Sequence, residues 1–300
     1  MQSLKLLSVV ALGASLAVSS YAKPAKKELC HFAPKNNRHI PVGHMDKSNH
    51  ETGINEAQFE DAIKKVVDVY APIVQSHNAT LTFNHLWEDD TVNSDAYQTG
   101  NDWYVDAYGG LARYPNMTED GMVFVFCHEM GHHLGGAPKF DGYDWASVEG
   151  QADYFASMKC FRRIFKDDNN AAVASQMTIA PEVSKKCSAE FHDANEVALC
   201  ERSSQVGLLL ANVLYDLGKG YGEPDVAPQF STPSQDVVSQ TDGEHPLAQC
   251  RLDTYFNGAI CPVSYTDDFS DTDPVVGACA EETGATVGYR PHCWYAPGNH

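Results

Sequence analysis

GMVFVFCHEMGHHLGG, residues 121–136, is the stretch from which the rest of the chain is best read. Met122, Val123, Val125 and Phe126 form an apolar run of helical character, and His128 and His132 follow it four residues apart. Side chains at that spacing stand one turn apart on the same helix face. Two imidazoles so placed can offer nitrogens to one metal ion. Glu129 stands between them, close enough to act on a metal-bound water without being a ligand itself. Gly135 and Gly136 end the helix in the manner of a glycine C-cap. So apolar a helix belongs in a core, where ionised groups cost free energy unless paired or metal-bound. His133 points about 100° around the helix from His132 and is not counted as a ligand.

A hydrolytic zinc ion usually takes three protein ligands and leaves one position for water. The segment WASVEGQADYFASMKCFRRIF, residues 145–165, supplies a candidate for the third. Val148, Ala152, Phe155, Met158, Phe161, Ile164 and Phe165 recur at helical spacing, with Ser147 as the expected N-cap. Glu149 falls in the first turn and Asp153 lies four residues on, along the same face. Glu149 is read as the third ligand. Asp153 is read as the partner that hydrogen-bonds a ligand histidine and fixes its tautomer. Alone, Glu149 would be an ordinary acid at a helix N-terminus; the HEMGH helix upstream favours the ligand. The loop between the two helices, residues 137–144, is short enough to make them neighbours.

HEMGH followed by EGQAD resembles the gluzincin metallopeptidases, most closely the group that contains HtpX and the CAAX prenyl proteases. The metzincin pattern is broken here by Pro138 at the expected histidine. Two further pieces occur in family order: HPLAQCR, His245–Arg251, and the weaker VNSDAY, Val92–Tyr97, which looks like the edge strand preceding the active-site helix. The resemblance spans roughly residues 80–255 and implies an α+β, zincin-like fold. That fold is mostly helical, with a small sheet beside the active-site helix. It also implies that extended substrate pairs with the edge strand, a β-augmentation mode. His245 would then face the cleft, stabilising an oxyanion or gating the metal; its plainer role is an exposed imidazole at a helix start. Arg251 pairs in the plainer reading with an acidic group.

Residues 1–22 read as a secretory signal peptide: Lys5, an apolar run, then Ser20-Tyr21-Ala22 with small residues at −3 and −1. The run is too short and too rich in Ser, Gly and Ala for a good membrane span, and nothing later is long and apolar enough for one. HtpX and the prenyl proteases are membrane-embedded, so a soluble exported relative is expected, periplasmic or secreted. The chain has 300 residues, with 40 acidic and 21 basic ones and a net charge of −19. Such a balance argues against nucleic acid and anionic membranes as partners. Nine cysteines in an exported chain suggest disulfides. Cys127, next to His128 in a buried helix, is taken as the free core thiol. The other eight cysteines leave the connectivity open.

The remaining chain is read as scaffold. Residues 23–53 form an irregular segment with Cys30 tethered and with His31, His39, His44 and His50 at the surface. Residues 54–76 form an amphipathic helix that Pro72 should kink or end. Strands are expected within 79–108, and another helix at 194–217. A loop at 221–244 could border the cleft, and His245-Pro246 opens a helix to about Asn257. The acidic turn DDFSDTD, 267–273, lacks the features of a calcium loop. Residues 54–300 are therefore one metallopeptidase domain with a disulfide-stapled tail from about 258.

The function expected is a zinc metalloendopeptidase acting on protein or peptide, with one Zn²⁺ on His128, His132 and Glu149. Glu129 and His245 are its catalytic candidates. The alternative is a silent or gated zinc-binding, chaperone-like interaction module.

Overall fold

The computed structural model describes residues 30–48 and 50–298. The expected signal peptide, 1–22, lies outside the described residues. The architecture is mixed α+β. In chain order the elements are β1 (Cys30–His31), α1 (Glu56–Ser76), β2 (Thr80–Leu86), β3 (Ser94–Thr99), β4 (Asp102–Tyr108), α2 (Gly109–Ala112) and α3 (Glu119–Leu134). There follow α4 (Glu149–Phe155), a π-helical segment (Ala156–Phe161), α5 (Arg162–Phe165), α6 (Asn170–Ala174), α7 (Pro181–Glu190), α8 (Ala194–Gly218) and α9 (Ala248–Ile260).

A capping box opens α1: the Asn55 side chain accepts from the Gln58 N–H, and the Gln58 side chain accepts from the Asn55 N–H. Pro72 does not end this helix, which runs on to Ser76. Pro72 and Asp68, four residues back, are both exposed, so the carbonyl that proline leaves unbonded faces water. Phe59, Ile63, Val66, Tyr70 and Val74 make the buried stripe.

The sheet order is β1-β3-β4-β2. Strands β3 and β4 form an antiparallel hairpin, and β2 runs parallel to β4. The sequence predicts an open edge at 92–97. Instead β3 is covered over its first half, with Cys30 opposite Ala96 and His31 opposite Asp95. Phe83 of β2 meets Phe126 of α3 edge-on, with centroids 5.4 Å apart, so sheet and helix share one core.

Thr118 caps α3 by accepting from the Gly121 N–H at 3.0 Å, and Glu119 and Asp120 complement the helix dipole. Every residue from Gly121 to His133 is buried. The helix stops at Leu134, and Gly136 takes the left-handed conformation at φ 68°. Within HEMGH, Gly131 has a specific use: a Cβ there would sit 2.7 Å from Cα of Ala152. Its absence lets the α4 backbone lie directly against α3.

Two helix starts differ from expectation. Ser147 is not the N-cap of α4; Val148 is, without a side-chain bond. The Ser147 hydroxyl instead donates to the Gly136 carbonyl at 2.7 Å, tying the loop shut. Helix α9 begins at Ala248, so His245 and Pro246 lie in the segment leading into it. The predicted continuous helix over 145–165 is also interrupted, at Ala156–Phe161, by π-helical turns of a kind that recurs at functional sites.

Disulfides join Cys127 to Cys160, Cys187 to Cys200, Cys250 to Cys293 and Cys261 to Cys279. Cys127 is therefore not the free thiol. It faces the π-helical segment across the α3–α4 contact, a long-range pairing that no local pattern betrays. The free cysteine is Cys30, buried in β1. Denaturing the unreduced protein in an alkylating reagent should label one cysteine, and peptide mapping should find it at Cys30. Label at Cys127 would contradict this pairing.

Candidate metal centre

Helix α3 delivers His128 and His132, and α4 delivers Glu149 from its first turn. The His128 Nε2 and His132 Nε2 atoms are 3.1 Å apart, and their rings are perpendicular. Glu149 Oε2 lies 3.3 Å from His128 Nε2, and its Oε1 lies 3.7 Å from His132 Nε2. One donor atom from each of the three residues falls within 4.8 Å of the others.

The hydrogen bonds on the far side of each ring decide what these atoms offer. His128 Nδ1 lies 2.7 Å from Asp153 Oδ1, and His132 Nδ1 lies 2.8 Å from the Ser147 carbonyl oxygen. Both partners only accept, so each Nδ1 carries the proton and each neutral ring turns its Nε2 lone pair inward. Two lone pairs and a carboxylate then converge in a space with 0 % exposure at both histidines and 2 % at Glu149. Acceptors so placed repel unless a cation stands between them. Two imidazoles and one carboxylate suit a divalent metal, zinc among them. The residues present therefore fit a metal ion.

Without a metal, a proton takes that place. Burial opposes the imidazolium of His128, but the Asp153 carboxylate outweighs it and raises the pKa to about 9. Burial lowers His132 to about 4. Burial would raise Glu149, yet His245, His132 and His128 together hold it well below the usual carboxylate range.

Asp153 is gripped from behind by Arg251 of α9. Arg251 Nε donates to Oδ2 and Nη2 to Oδ1, each at 2.7 Å. Arg251 is 1 % exposed and Asp153 fully buried, so this is a bidentate, desolvated pair. It fixes His128 through Asp153, and Nη1 of the same guanidinium donates to the Phe32 carbonyl at 2.6 Å.

Glu129 is fully buried, and neither of its oxygens has a hydrogen-bond partner among the described residues. Burial pushes its carboxyl well above the usual value. His245 reaches the centre from the segment before α9: its Nε2 lies 3.4 Å from Glu149 Oε2 and donates to the His31 carbonyl at 2.7 Å. The end of the 221–244 loop also arrives here, where Gly243 accepts from the Glu149 N–H at 3.4 Å.

His133 lies away from the metal ligands. It stacks between Trp103 and Trp145, with Nε2 on the Tyr104 carbonyl. His39 pairs with Asp90 at the surface, and His44 and His50 are exposed. Three residues beside the centre escape a reading by sequence. Phe32 sets its ring edge-on to His128, at 5.5 Å between centroids. Asp95 accepts from the Tyr108 hydroxyl at 2.7 Å and faces Glu129 electrostatically. Cys30 is held as a neutral thiol by burial, then by Glu149, Glu129 and Asp95. Only the likeness of VNSDAY to an edge strand touched Asp95; Cys30 and Phe32 sit far away in sequence.

No protein-family model, curated protein or solved structure matches this chain.

The proton on His128 must leave when a metal enters. Its pKa is raised to about 9, so below that pH each metal bound releases a proton, and metal affinity increases with pH. Calorimetry between pH 6 and 8 should show affinity rising by about tenfold per pH unit. A pH-independent affinity would contradict the proton placement. Asp153→Asn should lower metal affinity by about 10–100-fold, read by competition with a chromogenic chelator. Unchanged affinity would remove Asp153 from the site.

Proposed function

We propose that this chain is a zinc-dependent metalloendopeptidase of gluzincin type, a soluble exported relative of the HtpX and CAAX prenyl protease group. One observation carries the reading: a buried, unpartnered Glu129 carboxylate beside a three-residue ligand set. Four disulfides support an extracytoplasmic setting. No helix among the described residues is long and apolar enough to cross a membrane.

His128, His132 and Glu149 would hold a zinc ion, which when bound would supply Lewis acidity and bring the pKa of a water toward ~7. Glu129, unpaired and one position from His128, is placed to take the water's proton on a carboxylate oxygen and return it to the leaving amine. Beside a bound cation Glu129 would be held in its ionised form against the effect of burial. His245 Nε2 already donates to a main-chain carbonyl, that of His31. The same N–H would meet a scissile carbonyl as its oxygen gains charge. Asp153 and Arg251 keep the His128 lone pair aimed. Along β3, extended substrate main chain would add as a further strand, which suits an endopeptidase.

The burial of Glu129 and Glu149 favours a second reading, a closed zinc-binding interaction module. Against it stands the count of three protein ligands, since purely structural zinc is normally closed by four.

Zinc-loaded parent chain and Glu129→Gln should be compared over long incubations with unfolded casein. The parent should cleave and a chelator should stop it; the variant should keep its zinc and lose about 10²–10⁴-fold in rate. A variant as fast as the parent would refute the assignment of the base.

A further inference from the structure

The candidate metal centre is covered by β1 and the residues that follow it. Cys30 and His31 pair antiparallel with Ala96 and Asp95, and the Phe32 N–H donates to the Ser94 carbonyl at 3.0 Å. This is the run of β3 that a substrate strand would need. The covering segment is held as a substrate backbone would be held. His245 donates to the His31 carbonyl and Arg251 to the Phe32 carbonyl. Phe32 fills the space against His128, with the Arg251 guanidinium over its other side. Asn93 clasps Ala33 with two main-chain bonds, at 2.9 and 3.0 Å. Cys30, Phe32 and Ala33 are fully buried, and below them Glu129 has no partner among the described residues.

We propose that residues 30–33 are an autoinhibitory plug, occupying the substrate strand of the metal centre until they are displaced or cut away. Such a plug rests on the protease reading and supplies its regulation.

Three features make the plug removable. Among the described residues it makes a two-residue strand, the shortest in the sheet. Cys30 is the one cysteine outside the disulfides, so no disulfide retains the segment, whose other ties, such as His31 Nδ1 to Asp95 Oδ1 at 2.5 Å, are non-covalent. Beyond Ala33 the chain is exposed at Lys35 and again at Asn37, Arg38 and His39. A single cut there would sever the covalent link between the plug and the body. The body would keep Asn36, whose Nδ2 donates to the Val92 carbonyl at 3.2 Å, and Ile40, its carbonyl accepting from Arg113 Nε at 2.8 Å and its N–H donating to the Asp90 carbonyl. A strand that merely protected the sheet edge would leave activity unaltered when removed.

The experiment inserts a recognition sequence for a site-specific protease between Lys35 and Asn36 of the zinc-loaded chain. It compares the protein before the cut with the protein after the cut and removal of the short peptide. Three quantities are read: alkylation of Cys30 in the native state, hydrolysis of an unfolded protein substrate, and rebinding of a fluorescent peptide of residues 23–35 with and without a peptide hydroxamate. Before the cut Cys30 should resist alkylation, and hydrolysis should be slow, reflecting the small open fraction. After it, the rate should rise by about tenfold or more, since activity scales with the competent population. The fluorescent peptide should rebind, lower that rate, and be displaced by the hydroxamate. An unchanged rate with the peptide gone would overturn the plug while leaving the protease reading intact. Failure of the peptide to rebind, or rebinding that the hydroxamate does not affect, would also overturn it. No hydrolysis in either state, with rebinding still competed by hydroxamate, would keep the plug and refute the protease.

Discussion

A buried relay of charge runs from Arg251 through Asp153 to His128, and the functional end of the molecule is arranged around it. Three helices meet in that relay, one residue from each. Desolvating a guanidinium and a carboxylate is costly, and the pairing repays it only when the geometry is good and the remaining donors are satisfied. Here the fork is bidentate, the third Arg251 nitrogen meets the Phe32 carbonyl, and Asp153 accepts a hydrogen bond from the His128 Nδ1–H. Removing one partner from such a pair typically costs about 3–5 kcal/mol. The relay thus holds α3, α4 and α9 in register. It also commits the His128 Nδ1 proton outward, which leaves Nε2 to face His132 and Glu149.

The covalent staples bear on the same contacts. Cys127, adjacent to His128, is joined to Cys160 in the π-helical segment beyond Asp153. Cys250, adjacent to Arg251, is joined to Cys293 in the C-terminal tail. Trp294, its neighbour, packs where a Cβ on Gly150 would be and donates to Thr254 at 2.9 Å. Each of these two disulfides therefore flanks a member of the relay. Disulfides of this kind chiefly penalise the unfolded chain. In this fold they restrict the elements whose separation would disperse the candidate metal ligands.

Local periodicity made the centre legible. The i, i+4 spacing that joins His128 to His132 also joins Glu149 to Asp153, because both pairs lie on helices whose geometry is fixed by the backbone. Gly131 carried no such signal, because its purpose, the approach of Ala152, needs the second helix. What stayed hidden depends on contacts between distant segments. The pairing of Cys127 with Cys160 is one case: a cysteine beside a ligand in an apolar helix looks like core until its partner on another helix is seen. The edge at 92–97 is another. The resemblance suggests an edge strand there, but whether that strand is open depends on Cys30 and His31, more than sixty residues earlier. Ser147 looked like a cap because of its residue type, and was diverted to the Gly136 carbonyl by a loop closure that propensity does not encode.

X-ray absorption at the zinc edge of the intact, zinc-loaded chain tests the metal centre most directly. Ligation by His128, His132 and Glu149 predicts a first shell of nitrogen and oxygen only, with outer-shell scattering from two imidazole rings. A sulfur scatterer at about 2.3 Å, the distance of a zinc–thiolate bond, would contradict it by bringing Cys30 into the ligand set. A chain that folds and retains no zinc would contradict it at its root.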